Sequence, residues 1–160
     1  MIQELRINRY DPRVAYSATT TWTAMSDIGK SFDDGELTRA EYEAVEGRHL
    51  SAVSALMDAA GVSELTVSDI QRSPLASAAA LAVQEGTRVS PSEALEICRL
   101  ELRDELSCRL DSAGDFYVHV GFDYYLYVGA QRLPGATVAE IEEAGLFVER
   151  GVPSPYSNSE

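Results

Sequence analysis

Leu5 and Ile7 alternate with Arg6 and Asn8, which is the period of a half-buried strand over Glu4 to Tyr10. The next stretch, Asp11 to Asp34, has no period. It holds Pro12, a run of Ser and Thr, Trp22 and Gly29, and it closes on Asp33-Asp34-Gly35. It reads as a long irregular connection pinned by Trp22, Ile28 and Phe32, and such connections are often functional. Thr38 and Glu41 then form a T-x-x-E capping box, with Leu37 and Tyr42 at the spacing of a hydrophobic staple. Apolar positions at Tyr42, Val45, Leu50, Val53, Leu56 and Met57 keep the helical period until Gly61. A helix is predicted over Arg39 to Ala60, with Gly61 as its left-handed cap.

Leu65 and Val67 mark a short strand or extended connection from Glu64 to Val67. Ser73-Pro74 opens an alanine-rich helical run through Val83, closed by Gly86. Ser90-Pro91-Ser92-Glu93 is a second capping box, with proline where its missing N–H costs nothing. Leu95, Cys98, Leu102, Leu106 and Leu110 follow at spacings of three and four. They predict one amphipathic helix ending near Gly114. On that helix, at about 1.5 Å per residue, Cys98 and Cys108 would stand about 15 Å apart, too far for a disulfide. Both read as buried thiols.

Six of the 13 aromatic residues fall between Phe116 and Tyr127. The stretch reads as two antiparallel strands joined around Gly121-Phe122-Asp123, or as one long strand bulged at Gly121. Phe116, Val118 and Val120 share one face, joined by Tyr124, Leu126 and Val128. The other face carries Tyr117, His119, Tyr125 and Tyr127. Thr137 to Glu140 is a third capping box, opening a short helix that stops at Gly145. Leu146 to Val148 is the last strand, and residues 151–160 form a loose or docked tail. The whole is expected to be a single α+β domain over residues 1–160. Its sheet is antiparallel-rich, with helices packed mainly on one face.

Composition narrows the partners. The 160 residues are 45% apolar, enough for a real core, and 13 Lys and Arg face 26 Asp and Glu, a formal charge of −13. That balance disfavours nucleic acid and anionic membrane surfaces. No apolar run reaches the roughly 18–20 residues of a membrane span, and the first residues lack a signal peptide's apolar stretch. The expectation is a soluble, cytoplasmic protein. With only His49 and His119 and no C-x-x-C, no metal site is expected. No nucleophile elbow, Walker loop or dinucleotide fingerprint occurs, so no cofactor is expected and no catalytic residue is assigned.

Two sets of residues remain as candidate contacts. Asp33, Asp34 and Glu36 open a stretch to Glu46 that holds six acids against Arg39 alone. Acids also favour the first turn of a helix, so part of this run is ordinary helix chemistry. Tyr117, His119, Tyr125 and Tyr127, with Asp123 near the turn, form the second set. They suit partner anchoring or, in a cleft, proton transfer. His49, beside an apolar stripe, reads as a satisfied boundary histidine.

The run FYVHVGFDYYLYVG lies between LELRDELSCRL and GLFVERGVPSPY. It is similar to small acidic actinobacterial proteins of unassigned function. Its aromatic hairpin resembles those of immunity proteins from bacterial polymorphic toxin systems. The resemblance spans about the last 70 residues of the chain. It implies a toxin-neutralising role and transfers no catalytic residue. The resulting expectation is an acidic binding protein for a protein partner with a basic surface, such as a cationic toxin. Nuclease sites are cationic because their substrate is anionic, and a compact acidic protein is steered to them. The alternative is a small enzyme or ligand binder using the Tyr/His face.

Overall fold

The computed structural model describes residues 2–16, 20–121 and 124–156. Strand β1 (Gln3–Asn8) leads into the long connection, which contains a 3-10 turn at Met25–Asp27 and a small hairpin of β2 (Ser31–Phe32) and β3 (Gly35–Glu36). Helix α1 (Arg39–Ala60) is followed by β4 (Leu65–Arg72), α2 (Ala78–Ala82), β5 (Arg88–Val89) and α3 (Pro91–Leu102). Then come β6 (Leu106–Ser112), β7 (Phe116–Val120), β8 (Leu126–Ala130), α4 (Gly135–Glu143) and β9 (Phe147–Arg150). Seven strands form one sheet in the order β5-β4-β6-β7-β8-β1-β9, every neighbouring pair antiparallel. The chain is an α+β domain. None of its described helices is long and apolar enough to cross a membrane.

Local chemistry accounts for most boundaries. The Thr38 hydroxyl accepts from the Glu41 N–H, and α1 ends in Gly61 at φ 71°. Ser90 and Glu93 form a complete capping box at α3, with proline at its start. The inner face of the sheet carries Leu5, Ile7, Leu65, Val67, Leu110, Phe116, Val118, Leu126 and Val128, all buried. Helix α1 packs over these strands and against α3 and α4. Between α1 and α3, the buried Glu46 carboxylate accepts from Arg103 at 2.8 and 2.9 Å and from Arg99 at 3.4 Å. Glu46 itself is buried while Arg103 and Arg99 keep contact with solvent, so the pair ties the helices at the edge of the core.

Several expectations need correction. The helix read from Ser90 to near Gly114 is a helix and a strand. Asp104 adopts a left-handed φ of 58°, the chain reverses, and Leu106, Cys108 and Leu110 face inward from β6 at period two. The 15 Å separation of the two cysteines therefore does not apply, although both are free and buried. The helical run from Ser73 shrinks to five residues capped by Ser77, and β4 continues to Arg72, well beyond Val67. Thr137 caps nothing: α4 begins two residues earlier, at Gly135 after Pro134, without a side-chain cap. The Asp11–Asp34 connection is less irregular than expected, since Asp33 and Asp34 form the turn of the β2–β3 hairpin. Its anchors do hold: Trp22 is buried, and Ile28 and Phe32 pack against the core. β7 and β8 are two strands paired antiparallel, not one bulged strand.

Two substitutions test these assignments. Thr38→Ala should cost about 1 kcal/mol through loss of the cap. Gly129 lies across from Tyr117, and a Cβ there would meet the Tyr117 ring at 2.2 Å. Gly129→Ala should therefore lower the melting temperature more than Thr38→Ala does. Thermal unfolding of the two variants side by side checks both.

Candidate functional site

The outer face of the sheet is polar, and register builds it. Arg109 pairs with His119, His119 with Tyr127, Tyr127 with Arg6, and Arg6 with Glu149, so one row of side chains crosses five strands. A second row holds Asp111, Tyr117, Gly129 and Glu4. The Tyr117 and His119 rings stack with centroids 4.6 Å apart. Arg6 donates to Glu149 at 2.5 and 2.9 Å, and its guanidinium lies over the Tyr125 ring at 4.9 Å.

The tail after β9 docks on these rows as a strap. The Gly151 N–H donates to the Glu4 carbonyl at 2.8 Å, and Arg109 donates to the Tyr156 carbonyl. Between them the Ser154 N–H donates to the Tyr117 hydroxyl at 3.3 Å, and that hydroxyl donates to Glu4 at 2.8 Å. The Ser154 hydroxyl is 2.7 Å from Nδ1 of His119, and Asp111 stands 3.5 Å from the other ring nitrogen. Burial, followed by the hydrogen bond to Glu4, pushes the Tyr117 phenol above its ordinary range. The order Ser154–His119–Asp111 has the composition of a nucleophile relay. Ser154 is only 1% exposed and His119 2%, so no substrate carbonyl reaches the hydroxyl. The set fastens the strap.

The sequence-derived positions thus part company. Tyr117, His119 and Tyr127 are buried, although the sequence suggested projecting anchors: alternation assigns their face, and the strap covers it. Tyr125 is half-exposed and lines the wall of an open cleft. Asp123 lies outside the described residues. Asp33, Asp34 and Glu36 are exposed on the β2–β3 hairpin, far along the chain from the Tyr/His rows. His49 is fully buried, with Nδ1 2.9 Å from the Val45 carbonyl and Nε2 3.1 Å from the Tyr124 carbonyl. Burial lowers its pKa, and nearby Arg9 and Arg48 add to that.

Sequence reading missed a cleft of about 620 Å³, and it missed Glu101. The cleft is assembled at the end of β1 from the long connection and Tyr125, including Arg6, Tyr10, Asp11, Tyr16, Lys30 and Phe32. Two of its carboxylates are held ionised. Asp11 lies below its usual range through its hydrogen bonds from Arg13. Burial opposes the same shift at Asp27, but the Thr23 N–H, the Lys30 ammonium and the Ala24 N–H prevail. Neither is poised to act as a general acid near neutral pH. Among the described residues no group of His, Cys, Asp and Glu could hold a metal ion. No family model matches the chain, and neither a curated protein nor a solved structure is significantly similar to it.

Glu101 is a buried carboxyl beside two thiols. Its oxygens lie 3.5 Å from the Cys108 N–H and 3.6 Å from the Cys108 sulfur. Burial pushes its pKa well above the ordinary carboxylate value, against the hydrogen bonds it accepts. The folded state therefore binds a proton that the unfolded chain releases near its ordinary pKa. Stability falls as pH rises above that value and keeps falling until the buried carboxyl ionises. Glu101→Gln should flatten this decline. Melting temperatures of the two proteins should converge in acid and separate in favour of Glu101→Gln as pH rises.

Proposed function

We propose that the chain is an acidic binding protein that seats a basic surface of a protein partner, as an immunity protein or inhibitor of a cationic toxin does. The β2–β3 hairpin supports this reading. It is a two-stranded unit separate from the main sheet, and its turn presents Asp33 and Asp34 to solvent. Glu36 follows, also exposed, and no described cation lies within ion-pair distance of the three. Lys30 pairs with Asp27 at 3.1 Å and Arg39 with Glu43 at 2.9 Å, so the nearest cations in sequence are engaged elsewhere.

Unpaired carboxylates on an exposed turn lose little by meeting guanidinium or ammonium groups, because no existing pair is broken. Charge segregation strengthens the argument. Residues 1–30 hold four Lys and Arg against three Asp and Glu, while the rest of the chain holds nine against twenty-three. The net negative charge that would steer a cationic partner therefore lies beyond residue 30, the part of the chain to which the exposed acids of this hairpin and the first turn of α1 belong. Binding here needs no chemistry, in keeping with the sealed state of Ser154 and His119.

The test is kinetic. A partner captured from the source cells is measured against wild type and the triple variant Asp33→Asn/Asp34→Asn/Glu36→Gln at two ionic strengths. Exposed substitutions of this kind move stability by less than about 0.5 kcal/mol. The variant should associate more slowly, and its on-rate should depend less on salt. Identical rates and identical salt slopes would remove the hairpin from the interface.

A further inference from the structure

The cleft beside Tyr125 turns its cations, more than its carboxylates, toward solvent. Three ion pairs flank it, and in each the carboxylate is the more covered partner. Arg13 is 83% exposed against 17% for Asp11, Lys30 63% against 17% for Asp27, and Arg6 29% against 26% for Glu149. Elsewhere the pattern is mixed: Arg109–Asp69 and Arg99–Glu96 put the carboxylate outermost, while Arg39–Glu43 and Arg88–Glu64 put the cation outermost. A fourth cation stands behind the wall without a carboxylate among the described residues. The Arg9 guanidinium lies over Trp22 at 4.2 Å and Tyr10 at 4.6 Å and donates to the hydroxyl of Thr21, which lines the cleft. Lys30 is the single lysine of the chain.

Ring surfaces surround these cations. Tyr10 and Tyr16 pack with centroids 5.0 Å apart, and Phe32 and Tyr125 also line the space. Val14 and Tyr16, two of the most exposed large apolar side chains, sit at its edge. The volume of about 620 Å³ suits a small organic molecule. We propose that this cleft binds a small planar aromatic molecule carrying one anionic group. The rings take its faces, and Lys30, which lines the cleft, with Arg13, which flanks it on Asp11, meets its charge. The overall charge of −13 does not forbid this. At physiological ionic strength charges are screened beyond about 8 Å, so the local pairs decide, and in them Lys30 and Arg13 stand outside Asp27 and Asp11. The cleft shares Phe32 with the hairpin, but the assignment does not depend on the hairpin's acids.

The probe is 8-anilinonaphthalene-1-sulfonate, followed by fluorescence, with the uncharged N-phenyl-1-naphthylamine as its counterpart. Wild type should bind the sulfonate at one saturable site, about tenfold more tightly than the neutral probe, a ratio typical of one charge-assisted contact. Lys30→Gln/Arg13→Gln should remove that preference and leave the neutral probe's affinity unchanged. Both side chains are exposed, so the variant should melt like wild type. Tyr16→Ala should weaken both probes. Backbone amide shifts on titration should centre on Thr21, Thr23 and Tyr125. Equal affinities for the two probes, or an unaltered preference in the double variant, would overturn the proposal. Shifts confined to the apolar groove of Val83, Ile97 and Leu100 would overturn it as well.

Discussion

Four rings meet at one point inside this domain, and three otherwise separate parts of the chain are fixed there. Tyr124, just before β8, packs edge-on against Trp22 of the long connection, Tyr42 near the start of α1, and His49 one helical stretch further on. Centroid separations of 5.4 to 5.7 Å are in the favourable range for such pairs, each worth about 0.5–1.5 kcal/mol beyond its buried area. Tyr124 reaches the position only by adopting a left-handed φ of 66°, uncommon for a bulky residue. Its carbonyl faces His49, and its hydroxyl donates to that of Tyr42, so the packing and the polar contacts select the same backbone. The cleft depends on this node at one remove. Trp22 carries Arg9 on its face, and Arg9 holds Thr21 at the cleft wall.

The two faces of the sheet solve opposite problems. The inner face is apolar and is covered by α1, with Glu46 and two arginines tying that helix to α3. The outer face alternates arginine, histidine and tyrosine with carboxylates, groups that need partners once water is withdrawn. The strap supplies those partners from its backbone and one serine, so a polar face becomes interior without an apolar cover. A short segment rich in proline suits this role, because it carries few N–H groups that would compete for the acceptors.

Much of this was legible in the alternation and the caps. Thr38, Ser90 and Gly61 mark helix ends in the sequence and do so in the fold, and the inward faces of β7 and β8 follow from period two. The misread helix after Leu102 has a definite cause. Leu102, Leu106 and Leu110 are four apart, and four is compatible with one face of a helix and with one face of a strand. Only Cys108, between polar Ser107 and Arg109, separates the two, and a cysteine is a weak apolar signal. The candidate site was legible in part. Local pattern places Asp33, Asp34 and Glu36 on a loop and Tyr125 on the outer face. Nothing local says that Ser154, in a stretch of prolines and small polar residues, would land on His119, 35 residues away in sequence. The cleft likewise draws on β1, the connection and Tyr125, a convergence that only the tertiary fold creates.

The isolation of Lys30 has a use in the laboratory. Amine-directed reagents have one side chain to react with in this chain besides the backbone terminus, and its ammonium is open to solvent at the mouth of the cleft. A fluorophore, spin label or cross-linker attached through ordinary acylation would report from that mouth without the introduction of a cysteine. The two native thiols would stay silent, because both are buried and burial raises their pKa values, leaving little thiolate to react.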